Sequence, residues 1–514
     1  MSSVPVQPAD IREVAVVGLG TMGAGIAEVL ARSGRGVVAI EANHDALARG
    51  LATLHASLDK AVARGRLTHA DKAAIVARVR AADSIAAGAA AADLVIEAVP
   101  ESMELKRAVF GELDLACRPD TILATNTSSL SVTALAAGTR RPGQVAGLHF
   151  FNPAPVMKLV EVVSTVLTAP GTTEALAGLV RALGKTPVQA GDRAGFVVNP
   201  LLLAYLNHAV RLLETGQATR EDIDKAATRG VGLPMGPLAL LDLIGLDASL
   251  SILEALQAEF GGSRYTPAPL LRRLAEAGLA GRKAGRGFYG YQHKSVHAAR
   301  AEDPDHHAAS QPPASVLVAD NGAVTLAADL TSAITAAGIA VVRPPAAEAD
   351  LILVAASPSR RVLDAALASG RPAQAVGMYL VGPDAAAPAL AELIITHLTT
   401  ASATAAAAGL AAKLGLDTVT ARDRPGFLTA AMTYPHLNDA ARMVQDGYAT
   451  AADIDTAMML GCGYPRGPLQ MLDDIGPAVV SGVLSAMHAS SGDPAFAPVP
   501  LLAEHAAAGT RFRD

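Results

Sequence analysis

A histidine and a glutamate interrupt two neighbouring apolar runs and form the strongest catalytic pattern in the sequence. Within residues 144–163 (QVAGLHFFNPAPVMKLVEVV), His149 breaks the run Val145–Phe150 and Glu161 breaks the run Lys158–Val163. The pattern predicts strand, turn and strand, so that the imidazole and the carboxylate can form a hydrogen bond. A histidine suits proton removal from a secondary alcohol because its pKa lies near neutrality. On these two residues alone, a structural histidine satisfied by a glutamate is an equally good explanation.

A glycine-rich turn near the N-terminus predicts a dinucleotide site. Val14–Val17 is a short apolar strand, the hexapeptide GLGTMG (residues 18–23) follows it, and Ala24–Ser33 has the pattern of a helix. The three glycines permit a tight turn, a close backbone approach to a pyrophosphate, and close packing of helix on strand. Glu41 follows the second strand, Val37–Ile40, where it would bind ribose hydroxyls and repel a 2′-phosphate, which favours NAD. A glycine turn without a ligand is the alternative.

Polar residues follow two further predicted strands. Asp93–Val99 precedes Glu101, and Thr121–Thr125 precedes Asn126 and Ser128. Ligands of open parallel sheets bind at the carboxyl ends of the strands, so Asn126 is a candidate for the nicotinamide ribose or carboxamide. Asn126 and Ser128 are also ordinary turn residues, which is the alternative for both.

The composition predicts a folded, globular chain of several domains. The 514 residues exceed a single core at on the order of 150 residues per domain, so three or four domains are expected. The net charge of -6 with no basic stripe argues against nucleic-acid binding. Two cysteines are too few for a disulfide framework and favour a reducing compartment. Without a secretory signal or a membrane-length apolar run, the sequence predicts a cytoplasmic protein.

The motifs together resemble the 3-hydroxyacyl-CoA dehydrogenase family. The resemblance rests on GLGTMGAGIA, IEA, EAVPE, NTSSL, HFFNPAPVMKLVEVV, AGFVVNP, GLPMGPLALLDLIGLD and GRKAGRGFYGY, in the family's order and spacing over about residues 10–292. It implies NAD-dependent oxidation of a (3S)-3-hydroxyacyl-CoA to a 3-ketoacyl-CoA. It further implies that His149 is the general base, that Glu161 orients it, and that Ser128 and Asn199 position the substrate oxygens.

The resemblance also implies two sets of binding residues. The NAD contacts it predicts are Gly18, Gly20, Thr21, Met22, Gly23, Glu41, Glu101, Lys106 and Asn126. Ser57, Lys60 and Arg64 fall where the family contacts CoA, although a solvated basic helix face explains them as well. No metal is expected.

Similarity to particular family members is the basis for a narrower prediction of the acyl group. The length and tandem arrangement are similar to bacterial members that act on short or dicarboxylic acyl-CoAs, such as 3-hydroxybutyryl-CoA or 3-hydroxyadipyl-CoA, in fatty-acid β-oxidation or phenylacetate catabolism. No hydratase or isomerase module is visible. Two alternatives remain: a non-catalytic NAD-binding homologue, and a dehydrogenase of a free 3-hydroxy acid.

The second half of the chain repeats the first without its chemistry. Residues 215–245 align without gaps to residues 446–476, at an offset of 231 residues, and DRAGF at 192–196 returns as DRPGF at 423–427. At corresponding positions His149 becomes Tyr379, Asn199 becomes Ala430, and Glu161 is kept as Glu392. No GxGxxG follows the first strand of this half. The sequence therefore predicts one active site, in the N-terminal half.

The predicted fold is an α/β Rossmann-type domain with an all-α C-terminal domain, then a degenerate α/β domain and a second all-α domain. The predicted boundaries are 1–192, 193–292, a linker at 293–313, 314–423 and 424–514. The linker contains His293, His297, His306 and His307, for which no metal-ligand spacing is present. We expect the second helical domain to pack on the first, in place of the partner with which single-repeat family members form dimers. A homodimer of the whole chain is also possible.

Overall fold

The computed structural model describes residues 11–291, 311–343, 349–383 and 388–513. The chain divides into two compact units, Met1–Pro200 with Gly447–Cys462, and Leu201–Asp446 with Gly463–Asp514. The predicted linker and its four histidines lie outside the described residues, apart from residues 311–313. Along the described ranges every helix is too short or too polar to span a bilayer.

The first unit is built on an eight-stranded sheet. Its strands are β1 Glu13–Val17, β2 Gly36–Ile40, β3 Val79–Ala82, β4 Leu94–Glu97, β5 Ile122–Thr125, β6 Val145–Phe150, β7 Leu159–Ser164 and β8 Thr186–Gly191. Their order is β3-β2-β1-β4-β5-β6-β7-β8, with every neighbouring pair parallel except β6 and β7. The helices between them are α1 Thr21–Arg32, α2 His44–Ala63, α3 His69–Val76, α4 Ile85–Ala89, α5 Met103–Ala116, α6 Val132–Ala136 and α7 Pro170–Ala182. The predicted Rossmann-type domain is confirmed.

A run of helices follows the first sheet. They are α8 Val198–Glu214, α9 Arg220–Lys225, a π-helical segment Ala226–Val231, α10 Pro237–Ile244, α11 Leu246–Phe260, α12 Gly262–Tyr265 and α13 Pro269–Glu276. Thr219 followed by Asp222 three residues later predicts a helix start, which is confirmed because the Thr219 side chain accepts the N–H of Asp222. The sequence pattern of residues 220–230 predicts one α-helix, but only Arg220–Lys225 is α-helical and Ala226–Val231 winds as the π-helix.

The second half begins with a smaller sheet. Its strands are β9 Ser315–Asp320, β10 Ala340–Val342, β11 Leu351–Ala355, β12 Ala375–Val381, β13 Leu390–Ile395 and β14 Asp417–Arg422, in the order β10-β9-β11-β12-β13-β14. The helices among them are α14 Val324–Ala336, α15 Val362–Ala368 and α16 Ala401–Lys413. At the repeat offset, β11–β14 match β5–β8. Among the described residues, β3 and β4 have no counterpart, which confirms a reduced α/β domain.

The C-terminal helices are α17 Thr429–Gln445, α18 Ala451–Cys462, α19 Pro468–Ile475, α20 Pro477–Ser491 and α21 Pro500–Ala508. Helices α17, α19, α20 and α21 belong to the second unit, where α17 packs against the other three. Helix α18 belongs to the first unit and packs on β7 and β8.

Candidate active site

His149 and Glu161 lie opposite each other on two antiparallel strands. They are register partners of β6 and β7, and His149 Nδ1 lies 2.7 Å from Glu161 Oε2. Both side chains are buried. Because an ionised carboxylate can only accept, the imidazole donates from Nδ1, and Nε2 keeps its lone pair. The pair therefore has the arrangement of an oriented general base.

Two backbone N–H groups hold the other oxygen of Glu161. Val197 and Val198 donate to Glu161 Oε1 at 3.0 Å and 3.1 Å. They follow Phe196, whose φ of 55° is uncommon for a bulky side chain. This turn directs the N–H groups of Val197 and of Val198, the first residue of α8, at the carboxylate. Both carboxylate oxygens are thus occupied, which fixes the plane in which the imidazole is held.

Two aromatic rings flank the His149 imidazole. The ring centroids of Phe151 and Phe196 lie 4.6 Å and 5.6 Å from that of His149. Their apolar faces restrict water around the histidine, of which 8% remains exposed. A proton taken up by this imidazole would be stabilised mainly by Glu161 rather than by solvent.

Ser128 and Asn199 come together from different elements of the first unit. Asn199 lies in the first turn of α8, and its Nδ2 is 3.5 Å from the carbonyl oxygen of Ser128, in the loop after β5. Both residues are half-buried. The contact joins the Asn199 amide to the backbone of Ser128, whose hydroxyl lies 3.4 Å from Glu101 Oε1. Both a hydroxyl and an amide are able to hydrogen-bond a substrate oxygen.

Glu101 organises the loop that carries Ser128. Its Oε1 accepts hydrogen bonds from the Thr127 hydroxyl at 2.6 Å and from the backbone N–H groups of Ser128 and Ser129 at 3.0 Å and 3.2 Å. Burial alone would raise the pKa of Glu101, but these hydrogen bonds and the charge of Lys106 outweigh it and lower the pKa. Glu101 is therefore an ionised anchor for this loop at neutral pH.

Lys106 is almost fully buried beneath two carboxylates. Its Nζ lies 2.7 Å from Glu97 Oε1 and 3.4 Å from Glu101 Oε2, and 1% of its side chain is exposed. The ammonium therefore neutralises the end of β4. A direct contact of Lys106 with NAD stays a prediction.

The glycine loop has the shape that a pyrophosphate requires. Gly18 has φ of 90°, and a Cβ there would meet the Ala98 carbonyl at 2.8 Å. A Cβ on Gly23 would lie 1.7 Å from the Gly18 oxygen, whereas one on Gly20 would meet no atom within 4 Å. Helix α1 opens at Thr21 and Met22 without a side-chain cap on its first N–H groups, and such groups bind phosphates at helix N-termini. Glu41 Oε1 accepts the Leu19 N–H at 2.6 Å, which fixes the carboxylate beside the loop. These residues fit NAD.

The remaining predicted contact residues lie in two places: Asn126 follows β5, and the predicted CoA-binding residues lie on and after α2. The Asn126 Oδ1 accepts the Phe150 N–H at 2.8 Å, so this side chain links β5 to β6 and leaves its amide N–H groups for a ligand. Ser57 and Lys60 lie on α2, and Arg64 caps its C-terminus, all at helical spacing along one face. Lys60 and Arg64 are exposed and Ser57 is half-buried.

The corresponding position in the second sheet keeps the carboxylate and lacks the base. Tyr379 and Glu392 are register partners on β12 and β13. Glu392 accepts the N–H of Leu428 at 3.0 Å and of Thr429 at 2.8 Å. Burial raises the pKa of Glu392 to about 7, and burial likewise raises that of Tyr379 to about 12. A phenol with so high a pKa cannot serve as a base near neutrality.

Sequence reasoning missed the residues that surround the His149–Glu161 pair. Phe196 has a left-handed backbone, and so does its counterpart Phe427, with φ of 50°. The repeated D-R-x-G-F motif was the sequence feature that could have indicated this turn. The presence of α18 in the first unit had no local signal, because it depends on contacts more than 250 residues apart, such as Tyr448 to Gly191.

A mostly parallel sheet with a glycine loop, an acidic residue after its second strand and an oriented histidine defines a nicotinamide-dependent dehydrogenase. The family model described as the 3-hydroxyacyl-CoA dehydrogenase NAD binding domain matches residues 13–193. The model of that family's C-terminal domain matches twice, at residues 195–291 and 426–513. The chain belongs to the 3-hydroxyacyl-CoA dehydrogenase family, and the predicted duplication of its helical domain is confirmed.

Relatives of two lengths are similar to this chain. A 3-hydroxyadipyl-CoA dehydrogenase of Escherichia coli K12 is 35% identical over 97% of this chain and 98% of its own length. A 3-hydroxybutyryl-CoA dehydrogenase of Clostridioides difficile is 45% identical but covers 54% of this chain and 99% of its own length. A crystal structure of 3-hydroxybutyryl-CoA dehydrogenase from E. coli K12 matches with a TM-score of 0.81 at 33% identity, over 97% of this chain and 98% of that chain. The long relatives share both repeats, and the short one matches a single repeat.

Proposed function

We propose that this chain oxidises (3S)-3-hydroxyacyl-CoA to 3-ketoacyl-CoA at one active site in its N-terminal repeat, with His149 as the general base. The observation that carries the proposal is the buried His149–Glu161 pair, which the second repeat lacks. Family membership supports the reaction class, because both the NAD-binding and C-terminal family models match.

The residues divide the work as follows. His149 Nε2 takes the proton from the substrate hydroxyl, while Glu161 holds Nδ1 and stabilises the imidazolium. Ser128 and Asn199 hold the oxygen of the reacting carbon and the thioester oxygen. Bound NAD supplies the hydride acceptor. Gly18, Gly20 and Gly23 with Thr21, Met22 and Glu41 would hold it, and Glu101, Lys106 and Asn126 would serve its nicotinamide end.

The acyl group that we propose is short or dicarboxylic. The names of the E. coli and C. difficile relatives, which refer to 3-hydroxyadipyl-CoA and 3-hydroxybutyryl-CoA, support this range. Ser57, Lys60 and Arg64 on one face of α2 would bind the CoA phosphates.

Loss of NADH absorbance with a panel of 3-ketoacyl-CoAs tests the proposal. We expect turnover of acetoacetyl-CoA or of the 3-ketoadipyl form, with lower kcat/KM on long chains. No turnover of any thioester would favour a non-catalytic NAD-binding homologue. Turnover of free acetoacetate at the rate of its thioester would instead indicate a dehydrogenase of a free acid.

We also propose that residues 424–514 take the place of a partner subunit against residues 193–292. Contacts within the second unit support this packing: Arg264 Nε lies 2.9 Å from Asp439 Oδ1, and Ser263 donates to Asp493 at 2.6 Å. His208 Nε2 lies 3.0 Å from the Ala431 carbonyl oxygen. A chain ending at residue 292 should associate or lose stability. A fully active monomer with unchanged melting would contradict the proposal.

The domain boundaries 1–192, 193–292, 314–423 and 424–514 remain part of this proposal, as does a cytoplasmic location. The location is supported by two cysteines that are both free, Cys117 and Cys462. Limited proteolysis and cell fractionation test these two points.

A further inference from the structure

Helix α18 comes from the second repeat but packs on the sheet that carries the proposed catalytic pair. It spans Ala451–Cys462, contacts β7 and β8, and belongs with them to the first unit. Strand β7 carries Glu161, and β8 leads into the turn at Phe196. A segment of the second repeat is therefore available to act on the site of the first.

The C-terminal end of α18 contacts three residues that support the site. A Cβ built on Gly461 would lie 3.0 Å from Leu159 Cδ2, 3.2 Å from Val198 Cγ2 and 3.7 Å from Phe151 Cε1. Leu159 is two residues from Glu161 on β7, and the N–H of Val198 donates to Glu161 Oε1. The ring of Phe151 packs on that of His149 at 4.6 Å.

The segment that leads into α18 is fixed on the same structure. The Tyr448 hydroxyl donates to the Gly191 carbonyl at the end of β8, at 2.7 Å, and the Arg193 guanidinium lies 4.8 Å from the centre of the Tyr448 ring. The carbonyl of Arg193 in turn accepts the N–H of Phe196, at 3.0 Å. Helix α18 is thus anchored at both ends next to the turn that presents Val197 and Val198 to Glu161.

The last residue of α18, Cys462, is half-buried. Burial raises the pKa of the Cys462 thiol to about 12, and the negative charge of Glu161 adds to the rise. The end of α18 therefore lies close enough to the proposed catalytic carboxylate for its charge to act on the Cys462 thiol.

The first repeat makes the corresponding contact beside Glu392, in the second sheet, where Tyr379 replaces the histidine. Gly230 is the counterpart of Gly461 at the offset of 231 residues. A Cβ on Gly230 would lie 3.1 Å from Thr429 Oγ1, 3.2 Å from Val381 Cγ2 and 3.3 Å from Leu390 Cδ2. These are the counterparts of Val198, Phe151 and Leu159. The same crowding can therefore be introduced beside Glu161 or beside Glu392.

We infer that Gly461 is a positioning residue for the reaction. Helix α18 of the second repeat packs against Phe151, Val198 and Leu159, and these three residues keep the His149–Glu161 pair in position. This inference rests on the proposed function. A Cβ at Gly461 would lie 3.0 Å from Leu159 and 3.2 Å from Val198, closer than an ordinary carbon–carbon contact, so one of these two side chains must shift slightly. A small displacement is enough, since misplacement of reacting groups by about 1 Å can cost on the order of 100-fold in rate.

Two pairs of variants test the inference in the full-length chain. Gly461→Val and Gly461→Ala crowd the first site, and Gly230→Val and Gly230→Ala crowd the second in the same way. We expect Gly461→Val to lower kcat by about 10- to 100-fold and to move the apparent pKa of the kcat/KM profile. Kd for NADH should stay within about twofold, because the glycine loop is untouched. Both Gly230 variants should keep kcat within about threefold of the unchanged protein.

Each other outcome is decisive. An unchanged kcat and pH profile in Gly461→Val would overturn the inference, as would an equal loss in Gly230→Val, which would mean a general loss of folding. If Gly461→Val does not fold, Gly461→Ala decides, because alanine favours a helix by up to about 1 kcal/mol over glycine. We expect it to lower kcat by about three- to tenfold, and an unchanged kcat would overturn the inference. Absence of turnover in the unchanged protein would instead contradict the proposed function.

Discussion

Glu161 and Glu392 receive backbone N–H groups at corresponding positions but divide them differently. Glu161 takes both on Oε1 and keeps Oε2 for His149, at 2.7 Å. Glu392 uses one oxygen for Leu428 and the other for Thr429, and it faces Tyr379. The same buried carboxylate therefore serves as the partner of a base in one repeat and as a structural acceptor in the other.

Glu161→Gln should reduce turnover while Glu392→Gln should not. The amide removes the charge that stabilises the imidazolium, so we expect kcat to fall by about 10- to 1,000-fold. Steady-state rates with acetoacetyl-CoA measure it. The Glu392→Gln variant is the matched control and should stay within about twofold of the unchanged protein. Equal losses in both variants would contradict a catalytic role for Glu161.

His149→Gln should remove the base without removing the cofactor site. We expect kcat to fall by about two to four orders of magnitude, the range for loss of a general base. Fluorescence titration with NADH should give an unchanged Kd, because the glycine loop lies on β1 and α1. Turnover near that of the unchanged protein would mean that His149 is not the base.

Tyr379→His should not restore activity to His149→Gln. The second sheet would regain an imidazole beside Glu392, but Ala430 stands where the first site has Asn199. Among the described residues, moreover, Asn321-Gly322-Ala323 joins β9 to α14 in place of a GxGxxG loop. We expect the double variant to be as inactive as His149→Gln in the NADH assay. Recovery of more than about tenfold would contradict the assignment of one site per chain.

Glu41→Ala should weaken NAD and relax discrimination against NADP. The carboxylate is held by the N–H groups of Leu19 and Ala42, at 2.6 Å and 3.0 Å, and so stands ready for ribose hydroxyls. We expect KM for NAD to rise by about tenfold, as for the loss of a charge-assisted hydrogen bond, and the NAD to NADP ratio of kcat/KM to fall. An unchanged ratio would show that Glu41 does not select the cofactor.

The stability of Glu392→Gln relative to the unchanged protein should rise with pH. Burial raises the pKa of Glu392 from an ordinary 4.5 to about 7, so the folded chain keeps a proton that the unfolded chain releases. The free energy of unfolding therefore falls as pH rises through this window, by as much as about 3 kcal/mol. The melting temperature of the variant minus that of the unchanged protein should increase between about pH 5 and about pH 8. A constant difference would contradict the raised pKa.

Local patterns were sufficient to predict the core of the first site. The apolar runs at Val14–Val17 and Val145–Phe150 became β1 and β6, because each strand is buried on both faces. The partnership of His149 with Glu161 followed from a short loop between adjacent strands. Asn199 and Ser128, by contrast, came from the family resemblance, since no local pattern relates residues 71 positions apart.

Edge strands and long-range packing were not predictable in the same way. Val79–Ala82 (VRAA) and Thr186–Gly191 (TPVQAG) form β3 and β8 at the two edges of the sheet, where partial burial removes the apolar signature. The π-helix at Ala226–Val231 was missed because its periodicity over six residues resembles that of an α-helix. The position of α18 depends on contacts such as that of Gly461 with Leu159, which no local window contains.

The placement of α18 changes how the protein responds to dilution. Where two separate chains supply such a helix to each other, the fraction of complete sites falls as the protein concentration falls below their dissociation constant. Here the helix and the sheet belong to one chain, so their association does not depend on protein concentration. Association with a second copy is then not required to bring α18 to β7, and specific activity should be independent of protein concentration.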